Sequence, residues 1–198
     1  MHTLIVTAHP DPGSLTHAIA QTIAESLTAS TPQYTAELAD LTAEGFDPRF
    51  NLADHQLFLK QSPPPADVAA EQRRLDRADA LVLVYPIYWW SFPALLKGWI
   101  DRVFAQGWAY QDNNDGKVTK KLQRLQVHLV AIGGADQGTY QRHGYGAAMN
   151  TQIDHGIFDY CGAPVRSSTV LLPSEGDYAR AHLETAQAIG ASIFASQS

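Results

Sequence analysis

The run Ala80–Tyr85, ALVLVY, is apolar at every position. A strand with one face in water alternates polar and apolar residues. A strand without that alternation is covered on both faces, as strands inside a parallel sheet are. Leu4–Ala8 and Gln126–Ile132 (QVHLVAI) read the same way, and Tyr34–Leu41 and Val165–Leu172 supply two further strands. Stretches of helical spacing lie between them. Ser14 is placed to cap a helix whose stripe is Leu15, Ala18, Ile19, Ile23 and Leu27. Asp67–Ala78 reads as a second helix. Pro93 suits the first turn of a third, whose apolar positions Leu95, Leu96, Trp99, Ile100, Val103 and Phe104 form one face. A helix is expected over part of Tyr145–Tyr160, stopping at Cys161-Gly162, and another over Tyr178–Phe194. This alternation predicts an α/β protein: a five-stranded parallel sheet between two helical layers.

A chain of 198 residues with no visible linker or repeat predicts one domain, 1–198. The proline patch Ser62-Pro63-Pro64-Pro65 reads as a surface loop. Fourteen basic against twenty acidic residues give a net charge of −6. That balance argues against nucleic acid and against anionic membrane surfaces, both of which call for a basic face. The single cysteine, Cys161, excludes an internal disulfide and any multi-cysteine metal site. The opening MHTLIVTAHPDP has no basic region and an apolar run only from Leu4 to Ala8. Neither a signal peptide nor a membrane anchor is expected, and the expected location is the cytoplasm.

Sheets of this kind bind ligands beyond the carboxyl ends of their strands. Three loops therefore matter. After the first strand, His9-Pro10-Asp11-Pro12-Gly13-Ser14-Leu15-Thr16 brings hydroxyls and free amides to a helix N-terminus, a generic anion cradle. It is neither GxGxxG nor a GK[ST] phosphate loop. After the central strand, Pro86-Ile87-Tyr88-Trp89-Trp90-Ser91-Phe92-Pro93 sets aromatic rings between two prolines, where a planar ligand would lie. Nine of the nineteen aromatic residues fall between Tyr85 and Tyr110, including all four tryptophans. Trp99 and Phe104, on the helix stripe, read as core; Trp89 and Trp90, in the loop, read as ligand contacts. The third loop begins Gly133-Gly134, where missing side chains let amides approach a ligand, and continues to Tyr140 and His143, a possible proton-handling pair.

Together these loops resemble the flavodoxin-like NAD(P)H:quinone oxidoreductases. The resemblance runs without a gap from Asp67 to Tyr110, DVAAEQRRLDRADALVLVYPIYWWSFPALLKGWIDRVFAQGWAY. LIVTAHPDPGSL, GFDPRF at Gly45–Phe50, AIGGADQGTY and IFDYCG at Ile157–Gly162 extend it over most of the chain. It implies a flavodoxin-like three-layer sandwich holding FAD, with FMN as the alternative. It also implies NAD(P)H as electron donor, a quinone or similar acceptor, and two-electron hydride transfer by a homodimer. His9, Ser14, Leu15 and Thr16 would face the flavin's phosphate. Pro86, Ile87, Tyr88, Trp89 and Trp90 would line its ring, and Ala131, Ile132, Gly133 and Gly134 would offer amides to its pyrimidine edge. Tyr140 matches the family's tyrosine near that edge.

The family's histidine falls six residues beyond that tyrosine, where this chain has Gly146; His143 is the nearest substitute. The polar turn Gln111–Gly116 stands where animal members carry substrate-wall aromatics, and the segment between GFDP and DVAAEQ is shorter than theirs. Two rival readings stand beside the enzyme. One is a single-electron carrier of flavodoxin type. The other is a cytoplasmic regulatory subunit of a potassium-efflux transporter, some of which resemble this family.

Overall fold

The computed structural model describes residues 1–113, 116–174 and 176–195. In chain order the elements are β1 (His2–Thr7), α1 (Leu15–Ser30), β2 (Thr35–Asp40), α2 (Leu52–Phe58), α3 (Ala66–Arg77), β3 (Ala80–Pro86) and α4 (Ala94–Val103). There follow β4 (Tyr110–Asp112), β5 (Val118–Lys120), β6 (Gln126–Ile132), α5 (Gln137–His143), α6 (Tyr145–Met149), a π-helix (Asn150–Asp159), β7 (Val165–Leu171) and α7 (Tyr178–Ser192). Five strands form one all-parallel sheet in the order β2-β1-β3-β6-β7. Counting sheet strands alone, this is the 2-1-3-4-5 order, with its topological switch point between β1 and β3.

The apolar runs explain the centre of the sheet. Every side chain of β3 from Ala80 to Tyr85 is buried, and successive residues feed opposite cores. Leu81, Leu83 and Tyr85 pack with Leu75 of α3 and with Leu96, Trp99 and Val103 of α4. Val82 and Val84 pack with Ile19 and Ile23 of α1 and Ile189 of α7. Trp99 is fully buried and Phe104 nearly so, as their place on the helix stripe predicts. β7 alternates exposed and covered residues because it is the sheet edge.

Several elements differ from the sequence reading. Pro93 is the N-cap of α4 and not a first-turn residue. The glycine-rich third loop contains α5, which Asp136 starts by accepting the Thr139 amide at 2.7 Å. The helix expected within Tyr145–Tyr160 divides into α6 and the π-helix. α2 has no forerunner in the sequence reading; its signal is local, a capping box between Asn51 and Asp54. Gln111 and Asp112 of the polar turn lie in β4, which pairs with β5; Asn114 and Asp115 lie outside the described residues.

The GFDPRF stretch is clamped to α4 from below. Arg102, almost fully buried, donates to Asp54 at 2.9 Å, to Asp67 at 2.7 Å and to the Asp47 carbonyl at 2.8 Å. Its guanidinium also lies 5.3 Å from the centre of the Phe46 ring. Beside it, the Trp99 indole donates to Glu71 at 2.8 Å, tying α4 to α3. These contacts fix the helix that follows the aromatic loop, and so fix the loop's exit.

Candidate functional site

The aromatic loop leaves β3 and turns at once. The Tyr88 amide donates to the Ser91 carbonyl and the Ser91 amide to the Tyr88 carbonyl, both at 3.1 Å. Trp89 and Trp90 form the two-residue turn between them, with φ of 48° and 60°. Two positive φ values mark a type I′ turn, which normally takes Asn-Gly. A residue with a Cβ in this left-handed region costs about 1–2 kcal/mol. Such strain persists only where the surroundings enforce it, and it concentrates at ligand sites. Here the enforcement is visible. The Ser91 hydroxyl donates to Gln152 of the π-helix at 2.6 Å, and the Ile87 amide donates to the Ile132 carbonyl at 2.8 Å. Trp89 is left 92% exposed, against a background of buried aromatics.

The third loop comes up against this turn. A Cβ added to Gly133 would meet Leu172 Cδ2 at 2.5 Å and the Tyr140 hydroxyl at 2.8 Å, so a larger residue there would push both side chains aside. Gly134 is the reverse: nothing lies within 4 Å of where its Cβ would be. Between the two loops is a cavity of about 210 Å³ lined by Ile87, Trp89, Trp90, Gly134, Ala135 and Tyr140. Tyr140 is 5% exposed, and burial raises its pKa, so it stands at neutral pH as an uncharged hydrogen-bond donor. The structure therefore gathers Ile87, Trp89, Trp90, Gly134 and Tyr140 around one space.

Other expected residues sit differently. His143 does not line the cavity. Its ring lies against Tyr145, with centroids 5.2 Å apart and planes 25° from parallel. Ala131 and Ile132 turn their side chains into the two opposite cores, which leaves only main chain for the site. Pro86 is still within β3, paired with Ile132, and Tyr88 is half-exposed at the base of the turn.

The first loop is rigid by its own bonds. The Asp11 amide donates to His9 Nδ1 at 3.0 Å and the Gly13 amide to the Asp11 carboxylate at 2.9 Å. Ser14 caps α1, its hydroxyl accepting the His17 amide. Thr16 is buried and Leu15 half-buried. Beside this N-terminus is a second cavity, of about 460 Å³, reaching Thr7 and Asp40.

Two residues here escaped the sequence reading. His17 bridges Ser14 Oγ and Asp40 Oδ2, each at 2.9 Å from a ring nitrogen. Burial works against the Asp40 carboxylate, but hydrogen bonds from His17 and from the Ala43 and Thr42 amides outweigh it and hold its pKa below normal. A capping serine followed three residues later by histidine is a local signal; the aspartate arrives only through the β1–β2 pairing. A third missed residue is Tyr145, which stacks on Trp90 with centroids 3.6 Å apart and planes 13° from parallel. An aromatic residue between two glycines, Gly144 and Gly146, is the trace it leaves in the sequence.

A 2-1-3-4-5 all-parallel sheet defines a doubly wound α/β fold. The chain belongs to the family described as having the flavodoxin-like fold, which it matches over residues 1–192. The resemblance to NAD(P)H:quinone oxidoreductases read from the loops holds. The structure of an NAD(P)H:quinone oxidoreductase from Methanothermobacter marburgensis superimposes with a TM-score of 0.86, at 26% identity, covering 98% of each chain. The ribosyldihydronicotinamide dehydrogenase [quinone] of Pongo abelii is 28% identical over 195 residues, 87% of this chain and 81% of that one. A shorter stretch of 70 residues is 57% identical to the glutathione-regulated potassium-efflux system ancillary protein KefF of an Enterobacter species, covering 35% of this chain and 38% of that one. Among the described residues no helix is long and apolar enough to cross a membrane.

Proposed function

We propose that this chain is a flavin-dependent NAD(P)H oxidoreductase that passes hydride from NAD(P)H to quinones or similar acceptors in two-electron steps. The observation that carries the reading is the cavity at the carboxyl end of β3 and β6, where a strained aromatic turn faces an open glycine and a neutral phenol. These residues fit a flavin. Ile87 and Trp90 offer apolar surface to a flat ring. Gly134 leaves space for close approach to the backbone, and Tyr140 supplies a donor. The helix N-terminus behind Ser14 favours a phosphate by its unpaired amides and its dipole.

When bound, the flavin supplies the redox chemistry, accepting hydride and yielding it again. What the chain supplies is position and charge control. Tyr140 would offer its hydroxyl proton to the pyrimidine edge of a bound flavin, and its raised pKa keeps that proton in place. Gly133 lets the phenol lie directly against the backbone. His143, held on Tyr145, lies outside the cavity lining. The cofactor is FAD in this reading, with FMN the alternative, and chromatography of the released flavin separates the two. The active form is a cytoplasmic homodimer; exposed Phe50, Leu52, Phe58 and Leu59 provide apolar surface for it.

The test is direct: purified protein should be yellow and should release about one flavin per chain. Its visible band should bleach with NAD(P)H without oxygen and return with a quinone. A second reading, an ancillary subunit of a potassium-efflux transporter, is favoured by the 57% identity over 70 residues. Co-purification with a membrane transporter would support it.

A further inference from the structure

Trp90 is one of two indoles that line the cavity, and one of its faces is taken. Tyr145 covers one face at 3.6 Å, the contact distance of two stacked rings, so nothing fits between them. Tyr140 meets the same indole edge-on, with centroids 5.4 Å apart. The space left is about 210 Å³, below the roughly 300 Å³ at which ligand pockets begin. A conjugated ring that is to lie flat on that face of Trp90 must replace Tyr145.

The backbone around Tyr145 is built for that exchange. Gly144 ends α5 and starts α6 at φ +69°, a conformation that suits glycine. Neither Gly144 nor Gly146 has any atom within 4 Å of where a Cβ would stand, so both flanks of Tyr145 border open space. α6 is five residues long and runs directly into the π-helix, so Gly144 is the break in the chain nearest Tyr145. By contrast, Trp90 is held: its turn is closed by two hydrogen bonds and fastened to the π-helix through Ser91 and Gln152.

We propose that Tyr145 is a ring-shaped placeholder, stacked on Trp90 until a flat conjugated ring displaces it by a turn of the chain at Gly144. The inference rests on the flavin reading and deepens it. The displacing ring is either the flavin's own or that of the second substrate, and both present the same chemistry to Trp90. Tyr145 is thus a selecting residue: every entering ring competes with the stack it breaks.

The experiment uses wild type, Tyr145→Ala, Tyr145→Phe and Tyr145→Trp, with near-ultraviolet circular dichroism to show that each is folded. In one arm, flavin-stripped protein is mixed with FMN or FAD and the association rate is read from quenching of flavin fluorescence. In the other, flavin-loaded protein is mixed with 1,4-naphthoquinone and binding is read from tryptophan fluorescence. In the arm whose ring displaces Tyr145, Tyr145→Ala should bind about two- to tenfold faster, the worth of one aromatic pair. Tyr145→Phe should match wild type there, and Tyr145→Trp should be slower. Equal, measurable rates for all four proteins in both arms overturn the proposal. Flavin fluorescence unchanged by every protein overturns the flavin reading, and the proposal with it.

Discussion

Gly98 lies so close beneath Pro48 that an added Cβ would stand 2.5 Å from the proline's Cβ and 2.8 Å from its Cα. The contact joins α4 to the GFDPRF stretch at 45–50, two pieces of sequence with nothing in common but this surface. Both partners are backbone or ring atoms, so neither yields by changing rotamer. Gly98→Ala should therefore destabilise the fold by about 3 kcal/mol, the upper end of overpacking effects. Urea unfolding checks it; a variant within 0.5 kcal/mol of wild type, roughly the range of neutral surface changes, contradicts it.

The same clamp depends on Arg102. Its partner Asp54 is equally buried, and removing the cation leaves a carboxylate without a counter-charge, held only by the Asn51 amide. Arg102→Met should cost about 3–5 kcal/mol, as when one member of a buried pair is lost. The loss should be seen in the urea midpoint, and flavin release should follow unfolding without preceding it.

The turn at Trp89 makes the opposite kind of prediction. Its left-handed backbone suits asparagine far better than tryptophan. Trp89→Asn should raise unfolding free energy by about 1 kcal/mol. It should also weaken flavin binding, because it removes a ring from the cavity wall. A variant that is less stable than wild type would show that the exposed indole is held by packing and not strained.

His128, on β6, is buried with its Nδ1 2.8 Å from Ser167 Oγ. Burial, and then the charge of Arg166, push its pKa down to about 4 from 6.5. Above pH 6.5 the ring is neutral in both folded and unfolded chains and contributes no pH dependence. Between about 6.5 and 4 only the unfolded chain binds the proton, so stability falls with pH by up to about 3 kcal/mol. Urea midpoints at pH 7.5, 5.5 and 4.5 should drop more in wild type than in His128→Gln. Equal drops contradict the assignment.

What could be read from residues alone follows from how far each signal travels along the chain. β6 has the bounds its apolar run predicts, and β3 adds only Pro86, because continuous burial writes itself into consecutive positions. The Ser14 cap is equally local. The three strand ends were legible because alternation implies a parallel sheet, and such sheets bind ligands beyond the carboxyl ends of their strands. The turn at Trp89 and Trp90 was not, since its residue types oppose its geometry. Nor were the long-range partners: Asp40 for His17, Pro48 for Gly98, Tyr145 for Trp90. α5 was hidden by Gly138 and by the paired glycines before it, with Asp136 as its one clear marker.

The central claim concerns hydride transfer through a ring held beside Tyr140, and anaerobic stopped-flow absorbance tests it most directly. Purified protein is mixed with NADH or NADPH, then with 1,4-naphthoquinone, while the visible flavin band is followed. The band should bleach with the nicotinamide and return with the quinone. Tyr140→Phe should keep its flavin but bleach about tenfold more slowly, less than the full loss of an oxyanion donor because backbone amides share the charge. A protein that holds neither FAD nor FMN, or whose band neither nicotinamide bleaches, contradicts the claim.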